Sequence, residues 1–294
     1  MKGRAYLPGT CGELAQGWID KRYLHITCPI DCWVTAEISM EPGRGHIDGL
    51  KGRWKAEKAL YEILSRWDLE GKYDLAIRFE NPLPSGKGLA SSTADLCALL
   101  YALARACKRK ISQQEMIEVI LTVEPSDGLF LPGIAIFDHR QGSQALTITE
   151  NIPAIDILLY DNGGDVDTIA FNNHPQLFER NQMKEAKVQQ AFALIIEGLE
   201  QGDRKKIGQG ATISALANQT LLPKTNLEVI VEKAQAQGAL GLSIAHSGTI
   251  VGLLIEKEEK AIKENVRAFM TEQSAYNYLG EYTLVGGGAR YNLP

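Results

Sequence analysis

Residues 82–94 read Pro-Leu-Pro-Ser-Gly-Lys-Gly-Leu-Ala-Ser-Ser-Thr-Ala. They follow a predicted strand at residues 75–79 and lead into a predicted helix at residues 92–107, where leucines recur every three or four residues on one face. Gly86 and Gly88 let the backbone approach a ligand closely and adopt positive φ. The N–H groups and the positive dipole end at the start of a helix favour an anion. The segment therefore predicts a phosphate-binding loop.

Polar side chains of the same segment add to this prediction. Ser91, Ser92 and Thr93 offer hydroxyls for phosphate oxygens or a hydrated magnesium ion, and Lys87 offers a cation. The residues leave open a plainer alternative, in which a glycine turn precedes a serine-capped helix that binds nothing. The spacing matches neither a Walker A loop, because glycine follows Lys87, nor a dinucleotide fingerprint, because the third glycine is missing.

The composition is that of an ordinary folded protein. Of the 294 residues, 45% are hydrophobic and 23% are charged, which predicts one to two domains. The net charge of −5 and the lack of a concentrated basic stripe argue against nucleic acid as a partner. The weakly polar run at residues 239–255 is too short to span a membrane, and no apolar stretch typical of a secretory signal follows Lys2 and Arg4. We therefore expect a cytoplasmic protein that binds no membrane.

Helical and strand patterns occur in both halves of the chain and predict an α+β fold. We place the boundary between the halves at residue 152, although composition does not mark it. Helices are predicted at residues 55–67, 115–123, 176–200, 204–217, 226–237 and 259–271. Strands are predicted at residues 33–38, 134–137, 146–149, 155–160, 239–245, 249–255 and 282–285.

Read as a whole, residues 84–94 resemble the second motif of the GHMP kinases, Pro-x-Gly-x-Gly-Leu-Gly/Ala-Ser-Ser-x-Ala. All eight specified places are filled, by Pro84, Gly86, Gly88, Leu89, Ala90, Ser91, Ser92 and Ala94. The resemblance implies that ATP is bound, with Ser92 helping to hold Mg²⁺ and Lys87 assisting catalysis beside the γ-phosphate. The ATP-binding residues it implies are Pro84, Ser85, Gly86, Lys87, Gly88, Leu89, Ala90, Ser91, Ser92 and Thr93.

Two further segments resemble the other motifs of this family, in the expected order. Residues 7–14 are similar to the first motif and residues 238–251 to the third. In the third, His246 stands where a small residue is usual, and Ser247 and Gly248 form the expected tight turn beside the substrate. His246 taken alone is equally well explained as a capped turn histidine. The resemblance implies a two-lobed GHMP kinase fold, with a ribosomal protein S5 domain 2-like lobe at residues 1–152 and a ferredoxin-like lobe at residues 153–294.

Four short stretches are similar to a subgroup of the family, the L-threonine kinases of cobalamin synthesis. They are residues 11–18 with 28–31, residues 124–128, residues 161–168 and residues 245–248. This similarity implies transfer of the γ-phosphoryl group of ATP to L-threonine, giving O-phospho-L-threonine for the aminopropanol linker of cobalamin. Two alternatives stay open: another GHMP kinase, for example one acting on homoserine, and a catalytically silent sensor with the same fold.

The resemblance also suggests roles for acidic residues. Glu124 is expected to share Mg²⁺ with Ser92, and Asp127 to accept the threonine proton or to orient the hydroxyl. Because Glu-Pro and Asp-Gly are turn signals, a plain turn is the alternative. The ammonium of threonine needs an acid, for which Glu13 and Asp31 are candidates. Its carboxylate needs a cation, for which the candidates are Arg4, Arg78, Arg140 and Arg180.

The residues of one glycine-rich loop leave its role open. Gly163 and Gly164 precede Asp165, Asp167 and Thr168, and this loop either closes over the substrate or is a solvated turn. The oligomeric state is also left open, with a homodimer among the options.

Overall fold

A ten-stranded sheet runs through the computed structural model, which describes residues 1–164, 166 and 175–292. Most strands follow the order β10-β7-β9-β8-β1-β2-β4-β3, while β5 pairs with residues 24–26 of β2 and β6 pairs with β5. The strands are β1 (Lys2–Ile19), β2 (Arg22–Pro42), β3 (Ile47–Asp48), β4 (Tyr73–Glu80), β5 (Ile134–Asp138), β6 (Ala145–Thr149), β7 (Ile155–Asp161), β8 (Gly241–Ile244), β9 (Ile250–Glu256) and β10 (Asn277–Thr283).

The described residues contain eight helices beside this sheet, and the mixture of helices and strands confirms the α+β prediction. None of them combines the length and the apolar character needed to cross a lipid bilayer. The helices are α1 (Trp54–Arg66), α2 (Ser91–Ala106), α3 (Gln113–Val123), α4 (Leu177–Met183), α5 (Glu185–Gln201), α6 (Arg204–Asn218), α7 (Leu227–Ala236) and α8 (Lys260–Thr271).

Two element predictions were wrong. The single helix predicted at residues 176–200 is interrupted at Lys184, whose buried ammonium donates to Asn218 Oδ1 at 2.8 Å. The last strand lies at Asn277–Thr283 rather than at residues 282–285. Because β10 is at the edge of the sheet, much of it is exposed and its sequence lacks the apolar alternation of a covered strand.

The strands of the two halves meet where Glu13 of β1 pairs with Ile244 of β8. The register of β1 against β2 shifts on both sides of Glu13, and such bulges re-aim side chains. Gly12 has φ +57°, and a Cβ atom there would lie 2.3 Å from the carbonyl oxygen of Ile244. Glycine is therefore required at this junction, which directs Glu13 into the interior. The division into lobes at residue 152 stays a prediction, since the sheet continues across it.

Helix α2 lies directly on β1 and β2 and carries the segment that the sequence singled out. Its predicted apolar face is confirmed, since four leucines on it are completely buried: Leu96, Leu99, Leu100 and Leu103. Each such burial stabilises the fold by roughly 1.5–3 kcal/mol. Gly3 of β1 makes the close approach possible, because a Cβ atom at this position would lie 2.0 Å from the carbonyl oxygen of Ala102.

Residues 84–90, which we call the glycine loop, pack against the turn that follows β8. A Cβ atom on Gly88 would lie 2.2 Å from the Cβ of Ala245, and one on Gly248 would lie 2.2 Å from the carbonyl oxygen of Lys87. The same oxygen accepts hydrogen bonds from the N–H groups of Thr249 at 2.9 Å and Ile250 at 3.2 Å. The second and third motifs therefore form one backbone-packed unit.

We predict that Gly3→Ala lowers the free energy of unfolding by about 1–3 kcal/mol, because the added methyl group forces α2 away from the sheet. Urea denaturation followed by circular dichroism measures this change. Lys2→Ala is the matched control, since Lys2 is exposed on the same strand and should change stability by less than about 0.5 kcal/mol. Equal stabilities for the two variants would contradict this packing.

Candidate active site

A cleft of about 650 Å³ opens beside the glycine loop and the start of α2. Residues just before and at the start of α1 form one wall, and acids that follow α3 form another. Three histidines line it as well. The lining includes residues 84–86 and 88–93, with Arg53, Trp54, Lys55, Glu124, Asp127, His25, His139, His246 and Ser247. The structure therefore brings most of the predicted site residues around one cavity.

The start of α2 is open toward this cleft. The helix begins at Ser91 and its N-cap is Ala90, which has φ +55°, so the serine cap of the plainer alternative does not form. Alanine has no side-chain oxygen to accept from the first N–H groups of the helix, and these groups need an acceptor. Gly86 and Gly88 also have positive φ, of +75° and +90°. This end of α2 therefore suits an anionic ligand.

The two adjacent serines at the start of α2 point to different partners. Ser91 Oγ accepts from Asn81 Nδ2 at 3.0 Å and donates to the carbonyl of Leu83 at 3.3 Å, so it shapes the loop. Ser92 Oγ donates to Glu124 Oε1 at 2.5 Å. Since Mg²⁺ prefers hydroxyl and carboxylate oxygens, the pair of Ser92 and Glu124 has the donor set that this ion takes.

Lys55 completes this group and was missed by sequence reasoning. Its ammonium donates to Glu124 Oε2 at 2.6 Å, across 69 residues of sequence, so no local spacing linked the two. Glu124 is almost fully buried, and a buried carboxylate is costly unless it is paired. Lys55 therefore pairs with the Glu124 carboxyl group and holds it in position beside Ser92.

Asp127 and Glu13 lie together deeper in the site. The backbone N–H of Asp127 donates to Thr93 Oγ1 at 3.4 Å, which ties it to α2. His25 Nδ1 lies 3.7 Å from Asp127 Oδ1 and 3.6 Å from Glu13 Oε1. Burial, followed by the negative charge of Asp127, raises the pKa of Glu13 well above its ordinary value. The two acids thus form a coupled pair, in which Asp127 lines the cleft and Glu13 is buried behind it.

His25, His139 and His246, which we call the histidine cluster, form the floor of the cleft. The rings of His25 and His139 are stacked with centroids 4.0 Å apart, and His246 lies 4.5 and 4.9 Å from them. Burial, then the neighbouring charges that include His25 and Arg140, lowers the pKa of His139 and of His246 well below the ordinary value. Sequence reasoning considered His246 but missed the other two, because three single histidines on separate segments form no motif.

Lys87 faces the C-terminal half of the molecule rather than the cleft lining. Its ammonium donates to the carbonyl of Gly164 at 2.6 Å and lies 3.0 Å from Asp161 Oδ2. Thr249 Oγ1 donates to the same aspartate at 2.5 Å. In this arrangement Lys87 links the glycine loop to the end of β7, and the role of a γ-phosphate ligand that the sequence suggested for it stays a prediction.

Several other predicted residues lie elsewhere. Asp31 is exposed, and its Oδ1 accepts from the backbone N–H of Thr283 at 2.8 Å, away from the cleft lining. Three of the candidate arginines contact side chains outside the cleft lining: Arg4 pairs with Glu37, Arg78 with Glu80 and Arg180 with Gln176.

Arg140, the fourth candidate arginine, lies near the cleft floor, with its guanidinium 3.9 Å from the ring centre of Tyr23. Gly248 packs beneath the glycine loop. Val166 lines the cleft, and its N–H donates to the carbonyl of Gly86 at 3.4 Å. Asp165, Asp167 and Thr168, named above as a closing loop, fall outside the described residues.

Comparison with models of protein families shows to which family the chain belongs. Residues 55–131 match the model of the GHMP kinases N terminal domain, and residues 195–272 match that of the GHMP kinases C terminal domain. The chain belongs to the GHMP kinase family. The two-lobed fold expected from the motifs is thereby confirmed, and membership of this family supports a kinase.

Similar proteins support the same conclusion. The chain is 29% identical to the L-threonine kinase of Salmonella typhimurium over 261 residues, covering 88% of this chain and 84% of that one. It is 28% identical to the L-threonine kinase of Citrobacter freundii, covering 86% of each. A crystal structure of homoserine kinase from Cytophaga hutchinsonii has the same fold, with a TM-score of 0.73, 16% identity and coverage of 98% of this chain and 96% of that one.

We predict that this GHMP kinase loses stability as the pH falls below about 6.5, the ordinary pKa of histidine. Below that pH the unfolded chain takes up protons at His139 and His246 that the folded chain does not bind. The free energy of unfolding therefore decreases, by up to about 1.4 kcal/mol per pH unit for each of these two residues. Urea denaturation at a series of pH values between about 5.5 and 8 measures the slope.

His139→Gln separates this contribution from that of Glu13 and the other carboxyl groups, which are present in both proteins. The variant should lose stability less steeply than the wild type, by up to about 1.4 kcal/mol per pH unit. Parallel curves for the two proteins would show that the folded protein protonates His139 as readily as the unfolded chain does.

Proposed function

We propose that this protein transfers the γ-phosphoryl group of ATP to the hydroxyl of L-threonine, giving O-phospho-L-threonine. The observation that carries the proposal is the contact of Ser92 with Glu124 at the open start of α2, 2.5 Å apart and beside the glycine loop. This contact places oxygen ligands suited to Mg²⁺ beside a helix end suited to anions, and a nucleoside triphosphate with its Mg²⁺ ion needs both. The similarity to two L-threonine kinases supports the choice of acceptor.

The nucleotide half of the site follows from the backbone of the glycine loop and α2. The N–H groups at the start of α2 orient the phosphates, because the helix dipole and the missing side-chain cap favour negative charge there. Ser92 and Glu124 would hold Mg²⁺, which supplies charge neutralisation on the phosphate oxygens. Phosphoryl transfer depends on such positioning and electrostatic stabilisation more than on covalent chemistry.

The acceptor half of the site lies at Asp127 and Glu13. Asp127 lines the cleft, and its backbone N–H donates to Thr93 in the first turn of α2. It either accepts the hydroxyl proton of threonine or orients that hydroxyl toward the γ-phosphate. The ammonium of threonine would favour the ionised form of Glu13, whose pKa is raised in its absence. Arg140 is the candidate arginine nearest to this end of the cleft for the carboxylate.

The metabolic use of the product is expected only from the sequence similarity. O-phospho-L-threonine is expected to supply the aminopropanol linker of cobalamin, as in the subgroup that the four short stretches resemble. The proposal itself concerns the reaction and can be tested without reference to that pathway.

A substrate panel tests the proposed function. ADP release is measured with ATP, Mg²⁺ and, separately, L-threonine, L-serine, L-homoserine and mevalonate, and the phosphorylated product is identified by phosphorus NMR. We expect L-threonine to give the highest kcat/KM and a stoichiometric phosphomonoester. Homoserine exceeding threonine would replace the proposed acceptor within the same family. ATP binding with no product from any acceptor would favour the silent sensor.

Ser92→Ala should lower kcat by tens-fold or more, because it removes an oxygen that acts on the phosphates in the transition state. Ser91→Ala is the matched control: it deletes the neighbouring hydroxyl, which faces Asn81 and Leu83 instead of Glu124. Its kcat should fall far less. Steady-state kinetics with saturating threonine measures both, with thermal unfolding as a check on folding. Similar rates for Ser92→Ala and the wild type would place the metal elsewhere.

A further inference from the structure

The histidine cluster at the floor of the cleft brings together three separate segments of the chain. Its three side chains come from β2, from the residue after β5 and from the turn after β8, so the long-range fold alone brings them together. All three are buried, with exposed fractions of 2%, 3% and 8% for His25, His139 and His246. Three ring nitrogens, one from each histidine, all lie within 4.8 Å of one another.

Three ring nitrogens of this cluster lack hydrogen-bond partners among the described residues. They are Nδ1 and Nε2 of His25 and Nε2 of His139. A buried polar atom without a partner costs roughly 1–3 kcal/mol, so native structures seldom leave several together without a reason. Buried imidazole nitrogens that lie within 4.8 Å of one another and include three without partners suit a bound cation that the protein chain itself does not provide.

Gln16 sets the orientation of the third ring. The amide Nε2 of Gln16 donates to the carbonyl of Ile244 at 3.2 Å, which leaves its Oε1 to accept from His246 Nδ1 at 3.0 Å. In a neutral imidazole whose Nδ1 carries the proton, Nε2 carries the lone pair. Holding one ring nitrogen by a hydrogen bond so that the other can bind a metal is the usual arrangement around metal-binding histidines.

Charged neighbours are also consistent with a cation at this place. Glu13 and Asp127 lie 3.6 and 3.7 Å from His25 Nδ1 and can balance a positive charge or orient that ring. Two cations are close as well. The positive charges of Arg140 and Lys184 both act on His246. Burial lowers the pKa of Lys184 to about 7, so its charge repels a bound cation less strongly.

We propose that His25, His139 and His246 form a binding site for one divalent transition-metal ion of the zinc type, distinct from the magnesium-type pair of Ser92 and Glu124. Imidazole nitrogens suit Zn²⁺, whereas hydroxyl and carboxylate oxygens suit Mg²⁺, so the two sites differ in ligand chemistry. Zinc ligands at 2.0–2.1 Å from the metal lie about 3.3–3.5 Å from one another, so binding requires the nitrogens to move closer together and the stacked rings of His25 and His139 to turn out of their parallel arrangement. Three protein ligands leave a fourth position open to the cleft.

Metal titration tests this proposal directly. The purified protein is treated with chelator, dialysed and titrated with Zn²⁺ by calorimetry in excess Mg²⁺, so that the oxygen site is saturated. We expect one equivalent of Zn²⁺ to bind to the wild type. We expect His139→Ala to weaken this binding at least about 100-fold, since it removes a direct ligand. His46→Ala is the matched control, because His46 is exposed and outside the cluster, and it should bind as the wild type does.

A second readout does not depend on the variant folding correctly. The X-ray absorption spectrum of the Zn²⁺-loaded wild type should show three imidazole ligands. Co²⁺ in place of Zn²⁺ should give the intense visible absorption of a four-coordinate site. No saturable binding by the wild type, unchanged Zn²⁺ affinity in folded His139→Ala, or a first shell without imidazoles would each overturn the proposal. Because none of these measurements uses threonine or ATP, their outcome is independent of the proposed function.

Discussion

Backbone contact between Gly88 and Gly248 holds the glycine loop in the conformation on which the site depends. No side chain fits between these segments, and the carbonyl of Lys87 accepts two hydrogen bonds from the turn after β8. Ala90, two residues after Gly88, is in a left-handed conformation at the start of α2, and the first residues of the helix line the cleft. Ser92, and not Ser91, then contacts Glu124. The chemistry of the cleft therefore rests on backbone packing between residues far apart in sequence.

Two kinds of ligand chemistry meet in this one cleft. Near the start of α2, Lys55 holds Glu124 against Ser92 and creates a site of hard oxygen atoms. At the floor, buried imidazoles and the coupled acids Glu13 and Asp127 create a softer and less hydrated environment. A phosphoryl donor suits the first region, and an amino acid that carries an ammonium and a hydroxyl suits the region between them.

The sequence predicted the parts of this molecule that local chemistry determines. The leucine face of α2 followed from its periodicity, and the glycine loop from a motif of adjacent residues. The pairing of Ser92 with Glu124, 32 residues apart, was predicted from the resemblance to the GHMP kinases, as was the family membership. Contacts that only the folded chain makes were missed. Lys55, His25 and His139 lie on separate elements and reach the cleft through sheet pairing and helix packing, which no spacing in the sequence records. Asp31 belonged to a matching stretch, yet the edge strand β10 engages it outside the cleft.

The position of the triphosphate tests the account most directly. A crystal structure of the protein with a non-hydrolysable ATP analogue, Mg²⁺ and L-threonine would show it. The account predicts that the phosphates lie on the glycine loop and the first N–H groups of α2, with the metal bound by Ser92 and Glu124 and the threonine hydroxyl facing Asp127. Phosphates bound elsewhere, with the start of α2 closed by protein side chains, would contradict it.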